Sequence, residues 1–169
     1  DRNVYLIVNS HPGLTDLFEG RVDTVPAMTF FAPPSFAIYR YLMDCKYDGV
    51  SEVRYESIEE MPVDLCRELI LKHVVVGKYL KEDIGFRNMD YAIYAEEQDG
   101  GTTFTCIGEN QVIAYLERDT YKGIPEAGAI EMFLYSVTVG KMIPLATPNI
   151  QPKNGVVHAL NYGYDFGKI

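Results

Sequence analysis

Apolar positions along this chain follow a helical spacing in the first half and an alternating spacing in the second. Leu14, Leu17 and Phe18 stand at i, i+3 and i+4, the stripe of a short amphipathic helix, and Gly20 is its stop. The apolar run from Ala27 to Ala32 is closed by Pro33 and Pro34, which predicts a strand ending in a rigid turn. Ser35 then caps a helix carrying Phe36, Tyr39 and Leu42. Ser57 and Glu60 have the spacing of a capping box, with Pro62 in the first turn behind them. Leu65, Cys66, Leu69 and Ile70 share one face of the helix that follows, which should reach Lys72 or His73. Beyond it, β-branched Val74 to Val76 leave the helix and Gly77 ends the segment.

From Tyr91 the period becomes two. Tyr91, Ile93 and Ala95 alternate with Ala92, Tyr94 and Glu96, the pattern of a half-buried strand. Gly100-Gly101 turns the chain into a strand over 102–107, and Gly108 to Asn110 turns it again into 111–116. Further β-rich runs cover 132–139 and 155–160, the last entered through Asn154-Gly155, a hairpin signal because both residues tolerate positive φ. Asp48-Gly49 marks a turn between the helices. Early helices and late strands predict an α+β fold, in one domain over residues 1–169.

Composition narrows the function classes. With 47% hydrophobic and 23% charged residues the chain has the make-up of an ordinary globular protein that needs no metal to fold. Its net charge is -9 and its basic residues are scattered, which argues against nucleic acid and against docking on anionic lipid. No apolar run approaches the ~18 residues of a membrane span, so attachment to a membrane is expected only through an anchor outside this chain. Cys45, Cys66 and Cys106 form no CxxC pair; three buried thiols are favoured over one disulfide with a free thiol. No Asn-x-Ser/Thr sequon occurs, which leans toward a bacterial source.

Three separated segments resemble the fasciclin-like domain family. Thr29-Phe30-Phe31-Ala32-Pro33-Pro34-Ser35-Phe36-Ala37 is similar to its T-x-F-A-P-T-x-x-A-F signature. Leu69 to Tyr79, with His73-Val74-Val75-Val76-Gly77-Lys78-Tyr79 at its end, resembles the H-V-V-x-G-x-Y segment. Asn149-Ile150, followed by Asn154-Gly155-Val156-Val157-His158-Ala159-Leu160, is similar to the C-terminal D-I and N-G-V-I-H-V-I-D motif. Pro34, Ile38, Lys72, Asn149 and Asn161 depart from the pattern, and the stretches near 44–56 and 117–131 are longer than the family core needs. The resemblance implies helices packed on a wedge of short mixed and antiparallel strands, with the three segments meeting in the interior. It also implies an extracellular or cell-surface adhesion module binding a protein or polysaccharide, such as an outer-membrane or periplasmic lipoprotein of a bacterium. Carried over from matching positions, the partner contacts would lie at Asn149, Ile150, His73 and Tyr79. Thr29, Phe31, Ala32, Pro33, His73, Asn154, Gly155 and His158 would be structural.

The residues themselves give little chemistry. No serine sits in a G-x-S-x-G elbow, and Cys66 lies two helical turns before His73, roughly 10 Å along the axis, too far for thiolate activation. Neither a phosphate loop nor an HExxH occurs, and three scattered histidines are a poor ligand set, so no metal and no cofactor is expected. Glu59-Glu60, Glu96-Glu97 and Asp83 read as solvated termini rather than a catalytic carboxylate pair. Thirteen tyrosines, with clusters at Tyr39-Tyr41-Tyr47-Tyr55 and Tyr162-Tyr164, read first as the rim of the core and second as interface anchors. Two rival functions stay open: an enzyme acting on surface glycan or ester, and a carrier of a small ligand or lipid. His73, ending a helix, is placed to bond the carbonyls left free in the last turn, and a buried His158 needs a partner. Replacing Asn154 or His158 by Ala should therefore lower stability by about 1–3 kcal/mol, read by thermal unfolding.

Overall fold

The computed structural model describes residues 2–47 and 55–169. Four helices precede most of the sheet: α1 (Arg2–Asn9), α2 (Pro12–Phe18), α3 (Ser35–Tyr47) and α4 (Val63–Leu71). The strands are β1 (Met28–Ala32), β2 (Val74–Val76), β3 (Thr102–Thr105), β4 (Gln111–Arg118), β5 (Ile130–Ser136), β6 (Lys141–Ile150) and β7 (Gly155–Leu160). They form one seven-stranded sheet in the order β2-β1-β7-β6-β5-β4-β3, parallel between β1 and β7 and antiparallel elsewhere. The α+β class read from the chain is the one observed. The Asp48-Gly49 turn lies outside the described residues.

Strand β6 holds the sheet together. Its first part, Lys141 to Pro144, pairs with β5, whereas Leu145 to Ile150 pairs with β7 across two register shifts. Such irregularities bend a strand and let it pass from one half of a sheet to the other. The outer edges then meet. Beyond β3, the Ile107 N–H donates to the Val74 carbonyl on β2 at 2.8 Å and the Gly108 N–H to the Leu71 carbonyl at 3.0 Å. An edge that would template aggregation is thereby covered. Phe31, Ile38, Ile70, Leu134, Ile143, Leu160 and Phe166, all essentially without exposure, fill the space between the sheet and the helices.

Four local expectations fail for identifiable reasons. In α3 the buried face carries Ala37, Ile38 and Leu42, while Phe36 and Tyr39 are exposed. The C-terminal segment decides this rotation: Arg40 Nη1 donates to the carbonyls of Tyr162 and Tyr164, and the Phe166 N–H to that of Ala37. Residues 91–96 form turns rather than a strand: the N–H groups of Tyr91 and Ala95 bond back to the carbonyls of Asn88 and Ala92, and the segment is flanked by contacts of the Gln98 amide. That amide accepts from the N–H groups of Asn88 and Gly100 and donates to the carbonyls of Asn88 and Tyr91. The 57–60 capping box does not close: Ser57 makes no side-chain cap bond, and Glu60 accepts the N–H of Glu56 instead. A separate 3-10 turn, Ile58–Glu60, results, and α4 starts after Pro62. Strand β6 is absent from the expected strands because Pro144 and Pro148 lack the N–H a strand interior uses.

Candidate functional site

The site grows outward from Phe31. Pairing of β1 with β2 sets Gly77 and Tyr79 beside Thr29, whose buried hydroxyl donates to the Gly77 carbonyl and accepts the Tyr79 N–H, both at 2.9 Å. Gly77 has φ +105 and faces the Tyr79 ring, so the chain reverses where only glycine is unstrained. On the other side of β1, Phe31 lies in register with His158 and Ala32 with Ala159. The Phe31 ring stacks on the His158 imidazole with centroids 5.7 Å apart. The Phe31 N–H donates to the carbonyl of His73 at 2.9 Å. Residues from three distant segments therefore share one core.

Both core histidines are neutral, and they hold opposite tautomers. His73 Nδ1 lies 2.9 Å from the Leu69 carbonyl, which can only accept, so Nδ1 carries the proton. Its Nε2 then accepts from the Tyr164 hydroxyl at 3.1 Å. His158 is reversed: Nδ1 accepts the Asn149 N–H at 3.2 Å, and Nε2–H donates to the Tyr79 carbonyl at 2.9 Å. Burial pushes the His73 imidazole down to about 4, with Lys72 adding to the effect against the Leu69 bond. Burial also lowers His158, against the Tyr79 bond and the nearby Glu82 carboxylate.

Asn149 and Asn154 have different tasks from the ones their neighbours suggest. Asn149 adopts φ 63 at the end of β6, a left-handed conformation that asparagine tolerates better than most residues. Its Oδ1 accepts the Lys81 N–H at 2.7 Å and its Nδ2 reaches the Glu82 carboxylate at 2.9 Å. Asn149 thus ties β6 to the 3-10 turn Lys81–Asp83. Asn154-Gly155, by contrast, does not use positive φ. Asn154 Nδ2 donates to the Phe18 carbonyl at 2.8 Å, and Gly155 is required by contact, since a β-carbon there would collide with the Met28 carbonyl.

The four partner-contact candidates divide. Asn149 and Tyr79 meet through His158, and the Tyr79 ring packs on Phe104 with centroids 4.7 Å apart. Ile150 is half exposed and borders an apolar cleft of about 460 Å³ that also has Val4, Phe18, Phe30, Pro33 and Val157 in its walls. His73 is fully buried among Tyr164 and Phe166, so its ring presents no surface. Glu82 carries no local signal, and Tyr164 only that of the Tyr162-Tyr164 cluster: their partners in these networks stand 67 and 91 residues away in sequence.

No protein-family model matches the chain, and no curated protein matches it in sequence. Among solved structures it is similar to a FAS1 domain pair from the insect cell adhesion molecule fasciclin I, with a TM-score of 0.58 and 10% identity. The match covers 99% of this chain and 45% of that one. The fold is fasciclin-like.

Within the fasciclin-like fold the two described thiols are buried. Burial raises the Cys66 thiol and pushes that of Cys106 up to about 12, so both stay protonated and free. The side chain of Cys45 lies outside the described residues. Asp83 accepts the Leu80 N–H at 2.8 Å, as a turn cap does. Among the described residues no group of three or more His, Cys, Asp or Glu could hold a metal ion, and no helix is long and apolar enough to cross a membrane. Of the tyrosines, Tyr164 is buried and bonded to His73, whereas Tyr39 and Tyr162 are exposed.

Proposed function

We propose that this chain is a non-catalytic binding module of the adhesion type, working outside the cell or on its surface, that recognises a protein or a polysaccharide. One observation carries the reading: every histidine serves the backbone. His73 and His158 are held neutral by burial and oriented by main-chain partners, and His11 Nδ1 accepts the Gly13 N–H at 3.0 Å to cap α2. A general base must present a free lone pair to a substrate, and these rings do not. A solved structure of similar fold comes from a cell adhesion molecule, which supports the same conclusion. The screen that tests it is a pull-down of surface and matrix proteins combined with a glycan array, and binding of a defined extracellular ligand is expected. A cytosolic location with no ligand in either screen sinks the reading.

The apolar cleft beside Ile150 favours a second reading, a carrier of a small apolar ligand. Its size suits a compact hydrophobic molecule. Co-purification of a lipid, detected by mass spectrometry of an organic extract, would favour the carrier over the adhesion module.

A further inference from the structure

A second cleft, of about 420 Å³, opens between the segment from Phe86 to Met89 and the hairpin that runs from Leu116 to Glu126. Its hairpin wall lies in the expanded stretch 117–131. The hairpin is well built: Asp119 and Ala129 pair through the Asp119 N–H at 2.9 Å, and Tyr121 and Ile124 exchange two bonds at its tip. On the opposite wall the Arg87 N–H donates to the Leu116 carbonyl and the Leu116 N–H to that of Gly85, both at 3.0 Å. Both walls are thus fixed to β4.

The lining has a particular chemistry. Arg87 Nη1 and Glu117 Oε1 pair at 2.7 Å, each about three-quarters buried, and Arg87 Nε keeps an N–H with no protein partner. The guanidinium of Arg118 lies over the Phe86 ring, 5.9 Å from its centroid. Glu126 borders the same space from a left-handed backbone at φ 59, and Thr120 lines it as well. Phe86 is 48% exposed and Met89 55% exposed, so an apolar platform stands beside the charged groups.

Charge selects the ligand. Two guanidiniums and two carboxylates balance, so the cleft favours neither an anion nor a cation, and the overall charge of -9 further disfavours an anion. An apolar peptide segment would strip water from Arg118 and Glu126, the two exposed charges, and return no hydrogen bonds. A neutral sugar does the reverse. Its vicinal hydroxyls both donate and accept, matching guanidinium N–H groups set beside carboxylate oxygens, while the C–H face of its ring lies on an aromatic side chain. We propose that this cleft is a binding site for a neutral oligosaccharide, with Phe86 as the stacking platform and Arg118 and Glu126 as the polar contacts. The proposal rests on the binding-module reading above and deepens it.

The test is an array of neutral, uronate-bearing and sulfated oligosaccharides, with hits titrated by calorimetry against wild type, Phe86→Ala, Arg118→Ala and the distant control Lys141→Ala. Phe86 and Arg118 lie at the surface, and thermal unfolding confirms that the variants fold. Binding of a neutral oligosaccharide, weakened at least tenfold in Phe86→Ala and in Arg118→Ala and unchanged in Lys141→Ala, is the expected result. Binding only of acidic saccharides, or neutral binding that both variants retain, overturns the cleft assignment and leaves the binding module standing. Capture of a defined surface protein with no saccharide bound does the same. If neither saccharide nor protein binds, both conclusions fall.

Discussion

Gly155→Ala should destabilise this protein by about 4 kcal/mol, among the largest effects a single methyl can produce. Gly155 opens β7 opposite Met28 on β1, and the added carbon would enter the Met28 carbonyl oxygen. Neither backbone can give way. Antiparallel pairing to β2 on its far side holds β1, while β7 is bonded to β6. Relief would require separating the parallel β1–β7 pair, on which the Phe31–His158 contact depends. Gly163→Ala is the matched control, since its β-carbon meets nothing within 4 Å. For a chain of this size the effect corresponds to a fall in Tm of roughly 8–16 °C, against almost none in the control. A Gly155→Ala protein as stable as the control would show that β1 and β7 do not pair in this register.

Acid should unfold the protein through its two core histidines. The folded His73 imidazole takes up its proton only near pH 4, whereas in the unfolded chain it does so near 6.5. Below pH 6.5 the unfolded state therefore binds more protons, and stability falls as the pH drops toward 4. The stabilisation is fully present above pH 6.5. Between pH 7.5 and 4.5 the loss from His73 alone is about 2.5 kcal/mol. His158 is lowered as well and acts in the same direction. Its protonation has a further cost, because a proton on Nδ1 would face the Asn149 N–H that this atom now accepts. Urea unfolding at the two pH values measures the loss, and His73→Gln, which removes the titrating group, should reduce it by the His73 share. An unchanged pH dependence in that variant would remove His73 from the explanation.

How much of this could be read from the chain differs by element. Leu14, Leu17 and Phe18, the stripe from Leu65 to Ile70 and the strands after Gly101, Asn110 and Asn154 were legible because their patterns are local. In α3 two adjacent apolar stripes compete, Phe36-Tyr39 and Ala37-Ile38, and nothing within the helix ranks them. The C-terminal segment does, by covering the second. The alternation of 91–96 misleads for the opposite reason: a strand needs a neighbour, and here the backbone bonds to itself in local turns. Prolines hide β6: Pro144 stands at the end of its pairing with β5, and Pro148 falls in a register shift against β7.

The candidate site shows the same division. His73, Tyr79, Asn149, Ile150 and His158 are identifiable as motif positions, yet which of them reach the surface is not. The sequence by itself determined the α+β class and the positions of most elements, because these follow from periodicity and turn chemistry, while the meeting of β1, the end of α4 and β7 was what the family resemblance implied. Only the tertiary structure decided the histidine tautomers, the burial of His73, the role of Asn149 as a tie to Lys81 and Glu82, and the charge-balanced cleft at Phe86 and Arg118. Each of these depends on contacts between residues tens of positions apart, and a linear pattern carries no information about which distant group will supply the missing donor or acceptor.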